Sequence, residues 1–179
     1  MSAAASILVP TRRRAAYLNV ALASIAPQAA EHDAEVIVVE DEAPSPSGER
    51  VAAEHAARYV ALGAPCGLNV ARNAAIEHAR GELLCFVDDD VEVWPGWLVA
   101  LLRAAEGCPE HDVFGGPIRA RIEGWRLPVC GREPPPITTL DLGPCDRDAA
   151  VVWGANMALR RRALGQVGGF DQQVTGPGD

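Results

Sequence analysis

The sequence has few aromatic residues and no orderly set of cysteines, and both features limit the kind of protein it encodes. Aromatic side chains make up 5% of the 179 residues, whereas hydrophobic residues make up 49%. Alanine, valine and leucine therefore supply most of the apolar surface, which favours helices packed closely on a sheet. The five cysteines include no C-x-x-C pair, so they do not indicate a disulfide framework. Their pattern fits a reducing cytoplasm better.

The sequence also lacks an excess of basic residues and any long hydrophobic run. Its formal net charge is −8, which argues against nucleic acid as a partner because phosphate backbones are bound by basic faces. A small anion held by a few arginines is still compatible with that charge. The apolar runs are far shorter than the roughly 20 residues of a transmembrane helix, and the first five residues do not resemble a signal peptide. We therefore expect a cytoplasmic protein without a membrane span.

Short apolar runs alternate with helical patterns along most of the chain. The apolar runs predict strands at Ser6–Val9 (stopped by Pro10), Glu35–Val39, Tyr59–Leu62 and Glu82–Val87, and from Val113 onwards. Helical patterns over 18–25, 48–57, 69–79 and 98–105 lie between them, and Asn69 is the expected N-cap of the third helix. This order predicts an α/β fold with a largely parallel sheet. Ligands of such sheets bind beyond the carboxyl ends of the strands.

The pattern lapses from Glu123 to Asp148, where proline is frequent and no periodicity is visible. A stretch of this length without regular structure is usually functional or mobile. Regular structure is predicted to return with Val151–Trp153 and with a helix over Arg160–Val167.

Charged residues follow the predicted strands at the edge where ligands are expected. Asp88, Asp89 and Asp90 come directly after the fourth strand. Two like charges about 4 Å apart repel by roughly 4 kcal/mol at an effective dielectric constant of 20, so three adjacent carboxylates need solvation, partial protonation or a cation. A hard divalent ion that also takes phosphate oxygens matches this arrangement. A solvated acidic turn is the alternative interpretation.

Two groups of arginines lie near these aspartates in the predicted fold. Arg72 falls in the predicted first turn of the third helix, where free N–H groups and the helix dipole favour anions. Arg12, Arg13 and Arg14 follow the first strand. Each group either contacts an anionic ligand or belongs to an ordinary solvated surface.

Several motifs, taken in order, resemble glycosyltransferase family 2, whose members have the GT-A fold. They are Ile7–Thr11, Val38–Asp41, Gly67–Glu82, Phe86–Asp90, Gly154–Arg161 and Val167–Asp171. The resemblance implies one GT-A domain over 1–179, with a nucleotide- and metal-binding half in 1–95 and an incomplete sugar and acceptor half in 96–179. It also implies metal-dependent, inverting transfer of a sugar from a nucleotide-diphosphate donor to a hydroxyl of an unidentified acceptor.

The same resemblance implies roles for individual residues. Those expected at the nucleotide are Pro10, Thr11, Arg13, Glu40, Arg72, Asp88 and Asp89. Asp90, together with Asp88, is expected to bind Mn²⁺ or Mg²⁺, which would neutralise charge on the leaving diphosphate. The residues expected on the sugar and acceptor side are Trp153, Gly154 and Asn156. Asp179 is the candidate general base for the acceptor hydroxyl.

The sequence departs from the family pattern in three places. Arg12 and Arg13 stand where an aromatic residue and an asparagine are common, and Glu40 replaces the commoner aspartate. The pattern G-x-G-E-D matches Gly176–Asp179 only as far as the first acid. Either Asp179 is the base or the base lies beyond this chain. We therefore expect a truncated chain that tends to self-associate through exposed apolar surface.

Two functions other than glycosyl transfer share features with this sequence. A dinucleotide-dependent dehydrogenase shares the βαβ order, but it needs G-x-G-x-x-G after the first strand, and Pro10–Arg13 contains no glycine. A truncated module that binds a nucleotide sugar without turnover is the more serious alternative.

Overall fold

A single six-stranded sheet organises the chain in the computed structural model, which describes residues 4–121 and 139–174. The strands are β1 (Ala5–Thr11), β2 (Glu35–Glu40), β3 (Arg58–Ala61), β4 (Leu83–Phe86), β5 (Val113–Gly115) and β6 (Met157–Arg160). The helices are α1 (Ala15–Glu31), α2 (Pro46–Glu54), α3 (Leu68–His78), α4 (Trp97–Gly107) and α5 (Arg161–Val167), and a 3₁₀ turn lies at Gly154–Asn156. The strand order is β3-β2-β1-β4-β6-β5. The predicted α/β fold is confirmed.

The β1 strand lies in the middle of the sheet and is buried along its whole length. It pairs in parallel with β2 on one side and with β4 on the other. Its side chains alternate between two cores: Ile7 and Val9 pack with α1, α2 and α4, whereas Leu8 packs with α3 on the opposite face. This explains the continuous rather than alternating apolar run, because a strand covered on both faces has no solvent-facing side chain. Fully burying each such residue contributes about 1.5–3 kcal/mol.

The sheet is mostly but not entirely parallel. The β6 strand runs antiparallel between β4 and β5. The segment Val151–Trp153, which was predicted to be regular, contains no helix or strand, and regular structure resumes only at the 3₁₀ turn and β6. That prediction was wrong because hydrophobicity alone does not distinguish a strand from an apolar loop.

Pro10 does not stop β1, which continues to Thr11. Leu8 is the last residue of β1 paired with β4, whereas the pairing with β2 continues through Thr11 and Glu40. The missing N–H of Pro10 therefore removes no bond from the β4 ladder, and proline is tolerated at such a strand end.

The start of α3 differs from its prediction. Gly67 is the N-cap, with a φ of +100° that glycine adopts without strain. Asn69 lies inside the helix, where its amide contacts carbonyl groups near the end of the chain. Arg72 is therefore the fifth helical residue and lies beyond the first turn in which backbone N–H groups are free.

Part of the proline-rich region predicted to be functional or mobile, and the candidate base Asp179, lie outside the described residues. Residue 139 and residues 141–148 are exposed, whereas Leu140 is half-buried and forms an isolated antiparallel bridge with Ile118. Within the described ranges, no helix is long and apolar enough to cross a membrane.

Candidate functional site

A cavity of about 240 Å³ opens at the carboxyl ends of β1, β2 and β4. Its lining residues are Pro10, Thr11, Arg12, Arg14, Asp41, Leu68, Ala71, Asp88, Asp89 and Asp90. In the strand order, β2 and β3 follow on one side of β1, whereas β4, β6 and β5 follow on the other side. Crevices of open α/β sheets form at such a reversal of strand order, so the cavity lies where the sequence predicts a ligand.

The three aspartates after β4 have different surroundings. Asp89 is 4% exposed, accepts a 2.7 Å hydrogen bond from the Thr11 hydroxyl and pairs with Arg14 at 3.0 Å. Asp90 is more exposed and pairs with the same guanidinium at 2.8 Å. Asp88 makes a longer contact of 3.4 Å with Arg72. Two arginines therefore distribute their charge over the three carboxylates.

Desolvation dominates the ionisation of two of these groups. Burial raises the pKa of Asp88, although the nearby Arg72 charge partly opposes this effect, and Asp90 adds repulsion. Burial likewise raises the pKa of Asp89 against the Thr11 hydrogen bond and the charge of Arg14. A raised pKa means that the folded chain holds these carboxylates as anions only at a cost. A ligand that brings positive charge offsets that cost.

The oxygens at the cavity fit a divalent cation that keeps an open coordination sphere. Asp88 uses Oδ1 and Asp90 uses Oδ2 in their ion pairs, so the second oxygen of each carboxylate has no protein partner among residues 4–121 and 139–174. In the same ranges, no three His, Cys, Asp or Glu side chains are grouped closely enough to hold an ion. Mg²⁺ is characteristically held by one or two carboxylates together with water and phosphate oxygens. The site suits an ion that arrives with a phosphate ligand.

Arg72 joins the cavity to the late part of the chain. Its guanidinium contacts Asp88 and lies 5.4 Å from the centre of the Phe170 ring. Its buried Nε has no hydrogen-bond partner among the described residues. A Cβ atom at Gly154 would collide with the same guanidinium, so a larger residue there would require the Arg72 side chain to move.

Glu40 and its neighbour Asp41 point in different directions. Glu40, which is 1% exposed, accepts hydrogen bonds from the Arg13 N–H at 2.7 Å and from the Tyr59 hydroxyl at 3.3 Å. It does not line the cavity. Asp41 does, and it accepts hydrogen bonds from the backbone N–H groups of Cys66 and Gly67. It therefore fixes the loop that leads into α3.

Five residues line the cavity although none was predicted at the nucleotide, the metal or the sugar: Arg12, Arg14, Asp41, Leu68 and Ala71. Asp41 is the second acid of the Val38–Asp41 motif, whereas the resemblance implied a role at the nucleotide for the first acid, Glu40. Arg14 was one of three consecutive arginines, and nothing in the sequence showed which would turn toward the aspartates. Arg13, the arginine that the resemblance implied at the nucleotide, has a φ of +54° and pairs with Glu42 at 3.1 Å.

The residues expected on the sugar side lie beside Arg72 and α4. Asn156 accepts a hydrogen bond from Trp97 Nε1 at 2.9 Å and donates one to the Pro117 carbonyl at 3.2 Å. Its amide therefore holds the 3₁₀ turn in place. Trp153, which precedes that turn, is 38% exposed.

Comparison with known proteins gives a consistent family. The model of the family described as Glycosyl transferase family 2 matches residues 6–168. A curated relative, the glucosyl-dolichyl phosphate glucuronosyltransferase of Haloferax volcanii, is 24% identical over 123 residues, which are 63% of this chain and 37% of the relative.

Solved structures share the fold. A mannosyltransferase from Pyrobaculum calidifontis, in complex with GDP-Man and Mn²⁺, superposes with a TM-score of 0.65 at 19% identity over 97% of this chain and 49% of that one. TarS of S. aureus gives a TM-score of 0.71 at 21% identity over 97% of this chain and 31% of that one. A TarS fragment in complex with UDP-GlcNAc gives 0.56 at 26% identity over 69% of this chain and 36% of that one. The chain thus spans about half or less of the length of these relatives. With a family match over most of its residues and with the GT-A fold of these glycosyltransferases, the chain belongs to glycosyl transferase family 2.

Proposed function

We propose that this chain carries the donor site of an enzyme that transfers a sugar from a nucleoside diphosphate to an acceptor hydroxyl. The observation that carries the proposal is the cavity at the ends of β1, β2 and β4, where Asp88 and Asp90 each keep one carboxylate oxygen that no described residue contacts. The chain is acidic overall, so an anionic diphosphate needs local positive charge. Arg14 and Arg72 supply part of it.

Each part of the cavity has a function in this proposal. The backbone at Pro10 and Thr11 and the carboxylate of Asp41 form the wall against which the nucleoside binds. Arg72 orients Asp88 and neutralises it. Arg13 and Glu40, assigned to the nucleotide by resemblance, support the wall from behind, because Glu40 accepts the Arg13 N–H and does not line the cavity. Asp89 is assigned a supporting role through its hydrogen bond with Thr11.

Mn²⁺ or Mg²⁺ is the cofactor of this proposal, with Asp90 and Asp88 as its protein ligands. Such an ion, when bound, neutralises charge that develops on the leaving diphosphate. The complex of the Pyrobaculum mannosyltransferase with GDP-Man and Mn²⁺ supports the choice of ion. Asp90 is paired with Arg14 through Oδ2, so Oδ1 is the oxygen that it offers to the cation.

The sugar and acceptor are proposed to lie toward the 3₁₀ turn, next to Trp153, Gly154 and Asn156. Proton removal from the acceptor hydroxyl requires a base within hydrogen-bond reach, and Asp179 is the candidate within this chain. Single displacement with inversion follows from the family resemblance. The alternative, a module that binds the donor without turnover, shares the cavity but needs no base.

Thermal unfolding with a panel of nucleotides tests donor binding. UDP, GDP and their sugars, each with and without MnCl₂, are the probes. A ligand at about 100 times its Kd stabilises the native state by about 2.7 kcal/mol, so we expect a clear rise in Tm for one nucleotide, and only with the metal. The control is the matching nucleoside, which lacks the diphosphate. No response to any nucleotide would contradict the proposal.

Release of nucleoside diphosphate from the sugar donor separates the enzyme from the binding module. An enzyme releases the nucleotide faster when a suitable acceptor is added, whereas a binding module shows the rise in Tm without release.

A further inference from the structure

Two asparagines on α3 hold the segment that follows α5. Asn73 donates from Nδ2 to the Phe170 carbonyl at 2.9 Å and accepts the Phe170 N–H through Oδ1 at 2.8 Å. Asn69 donates from Nδ2 to the carbonyls of Asp171 at 2.8 Å and Val174 at 3.0 Å. These two residues, four apart in the helix, lie on one face. We call them the amide clamp.

The segment 168–174 has little other support. It contains no helix or strand beyond α5, and its residues are exposed except for the half-buried Phe170. Its remaining backbone hydrogen bonds in the described part of the chain are local, such as Gly168 to Leu164 and Val174 to Asp171. The amide clamp therefore supplies the hydrogen bonds that join this segment to α3.

The packing around the clamp is close. A Cβ atom at Gly169 would lie 2.7 Å from Asn73 Oδ1, so a larger residue there would push the segment away. The Phe170 ring meets Phe86 of β4 edge-on, with ring centres 5.2 Å apart and planes at 74°. Edge-to-face pairs of this kind contribute beyond the area they bury.

Arg72 links this segment to the cavity. It lies between the two clamp residues in α3, and its guanidinium touches Asp88 at the cavity and the face of Phe170. A ligand that changes the charge around Asp88 therefore acts on a group in contact with Phe170. Asn73 bonds both the N–H and the carbonyl of Phe170. A movement of the Arg72 guanidinium against the Phe170 ring is therefore expected to displace the Phe170 backbone as well as its side chain.

We propose that Asn69 and Asn73 are positioning residues that register the segment 168–174 against the donor cavity, with Arg72 as the contact between the two. This inference rests on the proposed donor function for its nucleotide-dependent part. In this arrangement, a ligand in the cavity changes the environment of Phe170 and of the backbone of segment 168–174.

Fluorine NMR tests the proposal, because the protein has only three phenylalanines. Uniform labelling with 4-fluorophenylalanine gives signals for Phe86, Phe114 and Phe170, which single Phe→Leu variants assign. In the free protein, Asn73→Ala is expected to move and broaden the Phe170 signal while the Phe114 signal stays in place. Asn19→Ala, which removes a surface asparagine bonded to His55, is the matched control and is expected to change neither.

The second measurement adds UDP or GDP with MgCl₂, which avoids paramagnetic broadening. In the wild type the Phe170 signal is expected to shift with the same Kd that calorimetry reports. In Asn69→Ala/Asn73→Ala the calorimetric Kd is expected to match the wild type, since neither amide lines the cavity, while the Phe170 shift is lost. If the double variant unfolds, Asn73→Asp replaces it in this measurement. Asn73→Asp keeps the acceptor for the Phe170 N–H and loses the donor to the Phe170 carbonyl, so its nucleotide-induced shift of the Phe170 signal is expected to be smaller than that of the wild type but not zero.

The outcomes separate the two proposals. If neither nucleotide binds the wild type in calorimetry, the donor function fails, and the free-protein signals still decide whether the clamp holds the segment. If a nucleotide binds and the clamp variants keep both the position of the Phe170 signal and its shift, the positioning role is wrong.

Discussion

Arg14 is the residue that most directly controls the charge of the cavity. Its guanidinium reaches Asp89 and Asp90 and also lies 4.7 Å from the centre of the Tyr17 ring. The pair with Asp89 is largely buried on the acid side, whereas Asp90 is close to half-exposed. Exposed ion pairs contribute about 0–1 kcal/mol to stability. Breaking the Arg14–Asp90 pair therefore costs less free energy than breaking the Arg14–Asp89 pair.

Replacing Asp90 isolates its role in metal binding. Asp90→Asn is expected to abolish Mn²⁺-dependent binding of the nucleotide found in the thermal panel, because an amide is a much poorer ligand for a hard cation. The fold is expected to be as stable as the wild type or slightly more stable, since repulsion from Asp88 and Asp89 is relieved. Calorimetric titration with and without MnCl₂ measures the first effect. Asp146→Asn, at an exposed loop position, is the control; equal metal-dependent affinity in both variants would refute the assignment.

Replacing Arg72 tests whether a nearly buried cation contributes to nucleotide binding. Its side chain is 12% exposed, and Arg72→Ala leaves Asp88 without its counter-charge. We expect binding to weaken by roughly 1.5–3 kcal/mol, the contribution of a hydrogen bond to a charged group. The measurement is the nucleotide Kd at saturating Mn²⁺. Arg50→Ala, which removes an exposed helical arginine, should leave Kd unchanged, and an unchanged Kd in Arg72→Ala would return Arg72 to a structural role.

For individual residues, the sequence predicted that the acidic end of β4 lies at the site. It did not predict which of the neighbouring acids and arginines point into the cavity. Glu40 and Asp41 are adjacent acids on one strand end, and the alternation of side chains sends one behind the sheet edge and the other into the cavity. The choice between them depended on the register of β2, which the apolar pattern does not fix to one residue. The choice between Arg13 and Arg14 depended on a left-handed backbone conformation at Arg13.

Strands and helices that are buried on a clear face were predicted well. The stripe of Leu18, Leu22 and Ile25 in α1 is fully buried, as its helical spacing predicted. The β6 strand was missed because its short apolar run is followed directly by the helical pattern of Arg160–Val167, and periodicity alone does not divide the two. Its antiparallel position between β4 and β5 depends on tertiary contacts rather than on a local pattern.

One charged cluster joins the amino-terminal ends of the strands, on the side away from the cavity. Glu35 at the start of β2 accepts hydrogen bonds from the Ser6 hydroxyl and the Arg80 N–H, and it pairs with the Arg80 guanidinium at 3.1 Å. Burial opposes the charge of Glu35, but these hydrogen bonds and the arginine outweigh it and lower the pKa of the carboxyl.

This lowered pKa makes a stability prediction with a definite sign. A carboxyl whose pKa is lower in the folded state contributes stability above its unfolded pKa of 4.5, and that contribution is lost as the pH falls through the folded pKa. Glu35→Gln is therefore expected to reduce the free energy of unfolding by about 1–3 kcal/mol at pH 7, and by less at acid pH. Urea unfolding at pH 7 and at acid pH measures both values. Glu54→Gln, at an exposed helical pair, is the control; a loss that is the same at both pH values would contradict this interpretation.

At the scale of the whole molecule, the two cores share one sheet. Neighbouring residues of β1, β2 and β4 contribute alternately to the cluster under α1, α2 and α4 and to the cluster under α3. Because both clusters are built on the same strands, loss of one cluster destabilises the strands on which the other packs. The described part of the chain is therefore expected to unfold in one transition. Coincident urea transitions from tryptophan fluorescence and from far-ultraviolet circular dichroism check this. Two separated transitions would show that the helical layers unfold independently.

The ends of the strand order have a consequence for how copies of the chain meet. An outermost strand exposes unpaired N–H and C=O groups to which a strand of another copy can add. Here the outermost strands are short: β5 has three residues and β3 has four. Arg58 is exposed at the start of β3, and Pro117 follows β5 closely, and charge and proline both discourage strand addition. At high protein concentration, copies of the chain are therefore expected to meet through exposed side chains such as Val167 and Trp94. Addition of strands to the sheet edges, as in amyloid, is disfavoured.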